Sequence, residues 1–147
     1  MKDITGNPIV EKNLVAERNL VFVYGTLRKG CHNNHCLGDA IFVGIAKTVE
    51  KYGFFLEPEY GISFAAKRKD GRVVNVVGEV YKVNDMTLRN LDTLEGHPEA
   101  YKRSLVQVDI EGNNGNSRKL AWMYLYPEER IYPQWRFIET GDYMKQK

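Results

Sequence analysis

Cysteine is scarce in this sequence: Cys31 and Cys36 are the only two in 147 residues, they lie close together, and no export signal precedes them. A structural disulfide is therefore not expected, and the thiols are read as reduced. Long apolar runs are missing as well. The first residues, Met1-Lys2-Asp3-Ile4-Thr5-Gly6-Asn7-Pro8, lack the apolar stretch of a signal peptide, and no segment approaches the length of a membrane span. The chain is accordingly expected to be cytoplasmic, with no membrane partner. Nor is there much charge of either sign in excess: 21 basic and 19 acidic residues leave a formal +2. That balance gives no electrostatic footprint for nucleic acid. Repeats, low-complexity tracts and interdomain linkers are absent too.

What is present is an ordinary folding composition, 43% hydrophobic and 27% charged, at a length typical of one core. Residues 1–18 are polar, mix both charges and show no period, so they read as an N-terminal extension to a domain covering 19–147. Leu20-Val21-Phe22-Val23, stopped by Tyr24-Gly25, reads as a buried central strand. Further strands are expected over Ala40–Val49, Gly53–Leu56, Ile62–Ala66, Val73–Val83, Tyr101–Ile110 and Leu120–Tyr126. Between them, the Asp70-Gly71 pair suits a two-residue hairpin, and Gly112–Asn116 is a longer polar loop. One helix is well marked. Asn84 or Asp85 can cap it, Leu88, Leu91 and Leu94 recur along it, and Gly96 with Pro98 ends it. A weaker helical reading covers Cys31–Leu37, and residues 128–147 could be a short helix or irregular chain. Many short strands with few helices predict an α+β fold, a small mixed β-barrel with short flanking helices.

Several side-chain groupings could carry chemistry. Gly25 follows a buried strand and has no Cβ, so the backbone amides after it can approach an anion or carbonyl oxygen, with the Thr26 hydroxyl beside them. Taken alone, Tyr24-Gly25-Thr26-Leu27 reads more readily as a plain tight turn, and its value depends on what accompanies it. Glu95 ends the marked helix, where the backbone carbonyls disfavour an ionised carboxylate, and burial would push its pKa the same way, toward a usable general base. The competing reading is a solvated glutamate at a helix end. The run Cys31-His32-Asn33-Asn34-His35-Cys36 contains two i, i+4 pairs of metal-ligand type. They point about 100° apart on a helix and cannot converge on one tetrahedral ion, so no metal site is assigned. A nucleophilic Cys/His pair needs an aligned base that sequence proximity does not supply. Lys67–Arg72 reads as a solvated basic hairpin tip. Trp122, Tyr124 and Tyr126 alternate and should share a face, while Tyr101 opens the strand after Glu95 and is the aromatic best placed for a site.

The order of these motifs resembles the γ-glutamylcyclotransferase-like (AIG2-like) family, and within it the γ-glutamylamine cyclotransferase branch. The resemblance is carried by Val21-Phe22-Val23-Tyr24-Gly25-Thr26-Leu27-Arg28-Lys29-Gly30, then Asn34-His35. It continues through Leu91-Asp92-Thr93-Leu94-Glu95-Gly96-His97-Pro98 with Tyr101 and Arg103, and ends at Gly141-Asp142-Tyr143. It spans about residues 19–143. It implies the family's small barrel, a small γ-glutamyl substrate, and a cyclotransferase reaction that forms 5-oxoproline and frees an amine without metal or cofactor. By the same resemblance Glu95 would be the acid/base, Tyr24, Gly25, Thr26 and Leu27 would bind the glutamyl moiety through backbone groups, and Tyr101 would line the pocket. Two alternatives stand beside this: a non-catalytic small-ligand module on the same barrel, and a cyclotransferase for a carrier-bound γ-glutamyl group. The leaving amine, the oligomeric state and any redox or metal role for Cys31–Cys36 are left open.

Overall fold

A computed structural model describes residues 19–69 and 71–145 of the chain. The expected N-terminal extension, residues 1–18, lies outside the described residues, as does Asp70. The described residues form seven strands in chain order: β1 (Leu20–Val23), β2 (Ile41–Glu57), β3 (Ile62–Ala66), β4 (Val74–Lys82), β5 (Lys102–Ile110), β6 (Ser117–Leu125) and β7 (Arg136–Phe137). Among the described residues one α-helix, α1 (Asp85–Glu95), joins β4 to β5.

Five strands close a barrel. β2 pairs with β4, β4 with β1, β1 with β6, β6 with β5, and β5 returns to β2. All of these pairings are antiparallel except β1 with β6, which is parallel, so the barrel is mixed as expected. Closure leaves no barrel edge to template aggregation. Its interior is filled by Phe22, Tyr24, Phe54, Val76, Val80, Val108, Ala121 and Met123, among others. The opposite face of β1 is just as dry, because Val21 and Val23 pack with Leu88 and Leu91 of α1. That two-sided burial is why Leu20–Val23 is apolar at every position rather than alternately.

β2 shows both patterns in one strand. Its first half alternates, with Ala46 and Thr48 buried between exposed neighbours, while Tyr52 to Leu56 are buried consecutively. The sequence suggested two strands here, because Glu50-Lys51 and Gly53 look like a break. The chain instead runs straight through, with a register irregularity between Lys47 and Lys51, and leaves the barrel to carry β3 on one edge and β7 on the other. This also corrects the expected hairpin at Asp70-Gly71. β3 and β4 pair with different halves of β2 rather than with each other.

The helix begins and ends where its caps place it. The Asn84 side chain accepts from the Thr87 amide at 2.8 Å, and Gly96 adopts the left-handed conformation at φ 68°, ψ 34°. Leu94, however, does not join Leu88 and Leu91 in the core. Each step of three residues falls about 60° short of a full turn, so two steps rotate Leu94 roughly 120° from Leu88, off the buried stripe. The expected helix over Cys31–Leu37 shrinks to a 3₁₀ turn over Asn34–Leu37. The C-terminal stretch is two 3₁₀ turns, Glu128–Arg130 and Tyr143–Lys145, with β7 between them. Cys31 and Cys36 are both free thiols. Among the described residues no group of three or more His, Cys, Asp or Glu side chains is arranged to hold a metal ion.

Candidate active site

The loop after β1, the C-terminus of α1, the start of β3 and the first residue before β5 converge on one cavity of about 460 Å³. Every site residue singled out from the sequence lines it: Tyr24, Gly25, Thr26, Leu27, Glu95 and Tyr101. The volume is in the usual range for a small-molecule pocket.

The loop is held from behind. Gly25, Thr26 and Leu27 each use their carbonyl internally: Gly25 O accepts from the Arg28 amide (3.0 Å), Thr26 O from the Asn33 amide (3.0 Å), and Leu27 O from the Asn34 side chain (2.8 Å). The Thr26 hydroxyl accepts from the Asn33 side chain at 2.9 Å, closing the same turn. The amides of Gly25, Thr26 and Leu27 donate to no protein acceptor among the described residues. A short run of backbone donors is thus presented at the cavity, a concavity suited to a carboxylate or an oxyanion. Leu27 contributes only backbone, since its side chain is buried among Leu37, Leu88 and Leu91. The absence of a Cβ at Gly25 is required by a neighbour: one built there would stand 2.4 Å from the Ser63 Oγ.

A buried ionic cluster fixes the loop to the barrel. The Arg28 guanidinium donates to Glu79 (3.1 Å) and Asp142 (2.7 Å), and all three residues are buried. Glu79 also accepts from the Lys29 amide at 2.8 Å and the Tyr81 hydroxyl at 3.0 Å, and Asp142 from the Met144 amide at 2.9 Å. Both carboxylates therefore share the guanidinium and accept further hydrogen bonds, the condition under which buried ions are tolerated.

Glu95 faces this loop from the end of α1. Burial raises its pKa from 4.5 to about 7, and the helix-end carbonyls act in the same direction. Three tyrosines feel its charge. Tyr24, Tyr101 and Tyr124 all have their ionisation pushed upward, first by burial, with Glu95 adding to each. All three remain neutral, and each hydroxyl is spoken for: Tyr24 donates to Tyr124 O (2.6 Å), Tyr101 to Ser63 O (3.0 Å), and Tyr124 to Asp92 (2.6 Å). They are walls and braces rather than bases. Tyr101 is stiffened further by stacking on Phe64, with rings 5.6 Å apart and nearly parallel.

Behind Glu95 sits a second polar unit. Asp92 takes a two-pronged contact from Arg103 (2.8 and 3.1 Å), and Arg103 lies over the Trp122 ring at 4.2 Å. Burial opposes ionisation of Asp92, but the hydrogen bonds from Arg103 and Tyr124 outweigh it and hold the carboxyl below its ordinary value. The His97 ring accepts from the Arg103 amide at 2.9 Å. The segment after Glu95 is thereby tied to β5 and β6.

The sequence did not single out Ser63, Asn33 or Tyr124 as site residues, though all three line the cavity. Asn33 had a local signal in its seven-residue spacing from Thr26. Ser63 and Tyr124 reach the site only through tertiary pairing. Of the three alternating aromatics, Trp122 and Tyr124 share the α1-facing side of β6, while Tyr126 lies just past the strand against Phe64 and Tyr101.

This fold and site define a known class. The family model described as "Gamma-glutamyl cyclotransferase, AIG2-like" matches residues 21–145. Among relatives, γ-glutamylaminecyclotransferase B of Danio rerio is 36% identical over 128 residues, covering 84% of this chain and 66% of its own. The γ-glutamylaminecyclotransferase of Bos taurus is 36% identical over 120 residues, covering 78% and 68%. The crystal structure of an AIG2-like protein from Mus musculus superposes with a TM-score of 0.67 at 29% identity, over 82% of this chain and 86% of that one. The chain belongs to the AIG2-like γ-glutamylcyclotransferase family, and the resemblance read from its motifs is borne out.

Proposed function

We propose that this protein converts a γ-glutamyl amine or γ-glutamyl amino acid to 5-oxoproline and the free amine, with Glu95 as the acid/base. The observation that carries this reading is the placement of Glu95, its pKa raised to about 7, in one cavity with the unpaired amides of Gly25, Thr26 and Leu27.

In the reaction, the substrate's α-nitrogen attacks its own γ-carbonyl carbon. One C–N bond forms and the C–N bond to the departing amine breaks. Glu95 accepts a proton from the ammonium to free the attacking amine and, once the ring C–N bond has formed, a second from the ring nitrogen, passing both to the leaving nitrogen, which departs as an ammonium, so protons balance and no co-reactant is consumed. A carboxylate with a pKa near neutrality can do both, and a positioned acid/base of this kind contributes on the order of 10²–10⁴ in rate. The backbone amides hold negative charge on the substrate, while Tyr24 and Tyr101, fixed by their own hydrogen bonds, keep the chain folded for ring closure. Such preorganisation is worth as much as the proton transfer, since well-oriented intramolecular reactions reach effective molarities of about 10⁵ M or more.

The test is 5-oxoproline release from ε-(γ-glutamyl)lysine, several γ-glutamyl amino acids and glutathione, by the wild type and by Glu95→Gln. The expected result is turnover of at least one substrate that vanishes in a variant still folded by circular dichroism. Undiminished turnover in the variant overturns the role of Glu95. Binding of 5-oxoproline by both proteins with turnover by neither identifies a binding module instead.

A further inference from the structure

Glu95 stands at the least anchored place on α1. The helix grips the barrel through Leu88 and Leu91, which are buried, whereas Leu94 is 45% exposed and Thr93 turns its hydroxyl back to Arg89 O (3.2 Å). The last apolar contact with the core therefore falls one turn before the residue whose position matters most in the reading given above. Helix ends fray unless something holds them. The charges there are also wrong for a helix end: the last turn carries Asp92 and Glu95 and no basic side chain, although the carbonyls at that end favour a cation. A local inconsistency of this kind is expected where function overrides propensity.

Asp92 supplies the missing anchor. It lies three residues before Glu95, on the neighbouring part of the helix surface, and its carboxylate accepts from donors on two strands. Arg103 of β5 gives the two-pronged contact, and the Tyr124 hydroxyl of β6 gives a third bond at 2.6 Å. The main-chain carbonyl of Asp92 accepts from the His97 amide at 2.9 Å, and the His97 ring accepts from the Arg103 amide, so the turn after Glu95 closes on the same pair. Tyr124 reaches the other wall as well. Its carbonyl accepts from the Tyr24 hydroxyl at 2.6 Å, where the loop after β1 begins, so one residue joins that loop to α1. Asp92 and Arg103 do not line the cavity, and Tyr124, which does, has its hydroxyl committed to Asp92.

We propose that Asp92, with Arg103 and Tyr124 as its donors, is a positioning brace that sets where the Glu95 carboxylate stands relative to the amides of Gly25, Thr26 and Leu27. Its consequence for rate rests on the cyclotransferase reading; the placement of Glu95 does not. A misplacement of about 1 Å at a reacting centre costs on the order of a hundredfold, and a helix end released from these bonds is free to move by that much.

Tyr124→Phe and Arg103→Lys test the brace, because both conserve charge. The first removes one bond to Asp92, and the second replaces the fork and its stack on Trp122 with a point charge. One readout is the steady-state kinetics of 5-oxoproline formation together with calorimetric binding of 5-oxoproline. The other needs no turnover: the carboxyl NMR titration of Glu95, beside which the other titratable groups lining the cavity are His32, Tyr24, Tyr60, Tyr101 and Tyr124. Each variant should show kcat lower by about ten- to a hundredfold, with KM and 5-oxoproline affinity within about threefold of the wild type. The Glu95 titration should move from near 7 toward the ordinary 4.5 as the carboxylate reaches water. Arg118→Lys, the same exchange at the exposed pair with Asp109, should change none of these. An unmoved Glu95 titration in either variant overturns the brace, whatever the rate does. So does an unchanged kcat in an active enzyme, with or without a rise in KM. No 5-oxoproline from the wild type on any of the substrates named above overturns the cyclotransferase reading instead, and the titration then decides the brace by itself.

Discussion

Arg28 and Asp142 stand 114 positions apart in the chain and meet at 2.7 Å in a buried ion pair directly behind the loop that follows β1. Together with Glu79 they turn a flexible glycine-containing turn into a fixed array of donors. Four expectations follow from this and the neighbouring contacts.

Removing the guanidinium strands two buried carboxylates. Arg28→Met should cost about 3–5 kcal/mol, the range for breaking a buried pair from one side. Urea unfolding at pH 7 measures it. A loss under about 1 kcal/mol would mean that water enters the cluster and that the loop is held by its own hydrogen bonds.

The approach of Gly25 to Ser63 predicts a rescue. Gly25→Ala places a methyl group 2.4 Å from the Ser63 Oγ, so the Ser63 hydroxyl must rotate or the loop must shift, and a loop displacement near 1 Å should lower kcat/KM about a hundredfold. Ser63→Ala removes the obstructing oxygen, and the double variant should recover most of the loss. Strictly additive effects in the double-mutant cycle would show that the two residues do not compete for the same space.

Glu95 has a pH response to match its proposed role. In the role of base it would have to be ionised, so kcat/KM should rise with pH through an inflection near 7 that Glu95→Gln lacks. Stability runs the other way. A carboxyl whose folded pKa lies above its unfolded 4.5 stabilises the fold fully below 4.5, and that contribution is lost as pH climbs through 7. Glu95→Gln, a permanently neutral stand-in, should be more stable than the wild type at pH 8 by about 2 kcal/mol and equal to it near pH 4. Thermal unfolding at the two pH values decides this, and a variant less stable at pH 8 would place the carboxylate in water.

Tyr124 braces Asp92 through a 2.6 Å bond to an ionised acceptor. Tyr124→Phe should cost about 1.5–3 kcal/mol. It should also raise the Asp92 pKa toward the ordinary range, which carboxyl NMR titration reads directly. An unmoved Asp92 would assign its low value to Arg103 alone.

How much of this the sequence disclosed depended on distance along the chain. The helix was legible almost to the residue, because Asn84, the leucine spacing and Gly96 are local signals. So was the loop after β1, where an apolar run stops at Tyr24-Gly25. Placing Glu95 opposite that loop came from the family resemblance, since nothing in residues 85–96 says what faces them. β2 was misread as two strands because Glu50, Lys51 and Gly53 look like a break, although a strand passing from a barrel into a flanking ribbon needs no turn. The Arg28–Glu79–Asp142 cluster was invisible. Its members are charged residues in three unconnected segments, and only the closed barrel puts them in one dry pocket.

The parallel pairing of β1 with β6 bears on how the protein is made. Antiparallel neighbours can zip up as they leave the ribosome, but β1 must wait for Trp122, its partner opposite Val21, and the loop beyond β1 waits longer still for Asp142. A nascent chain thus carries the loop after β1 without its Asp142 contact through most of synthesis, and the barrel cannot close until β6 has emerged.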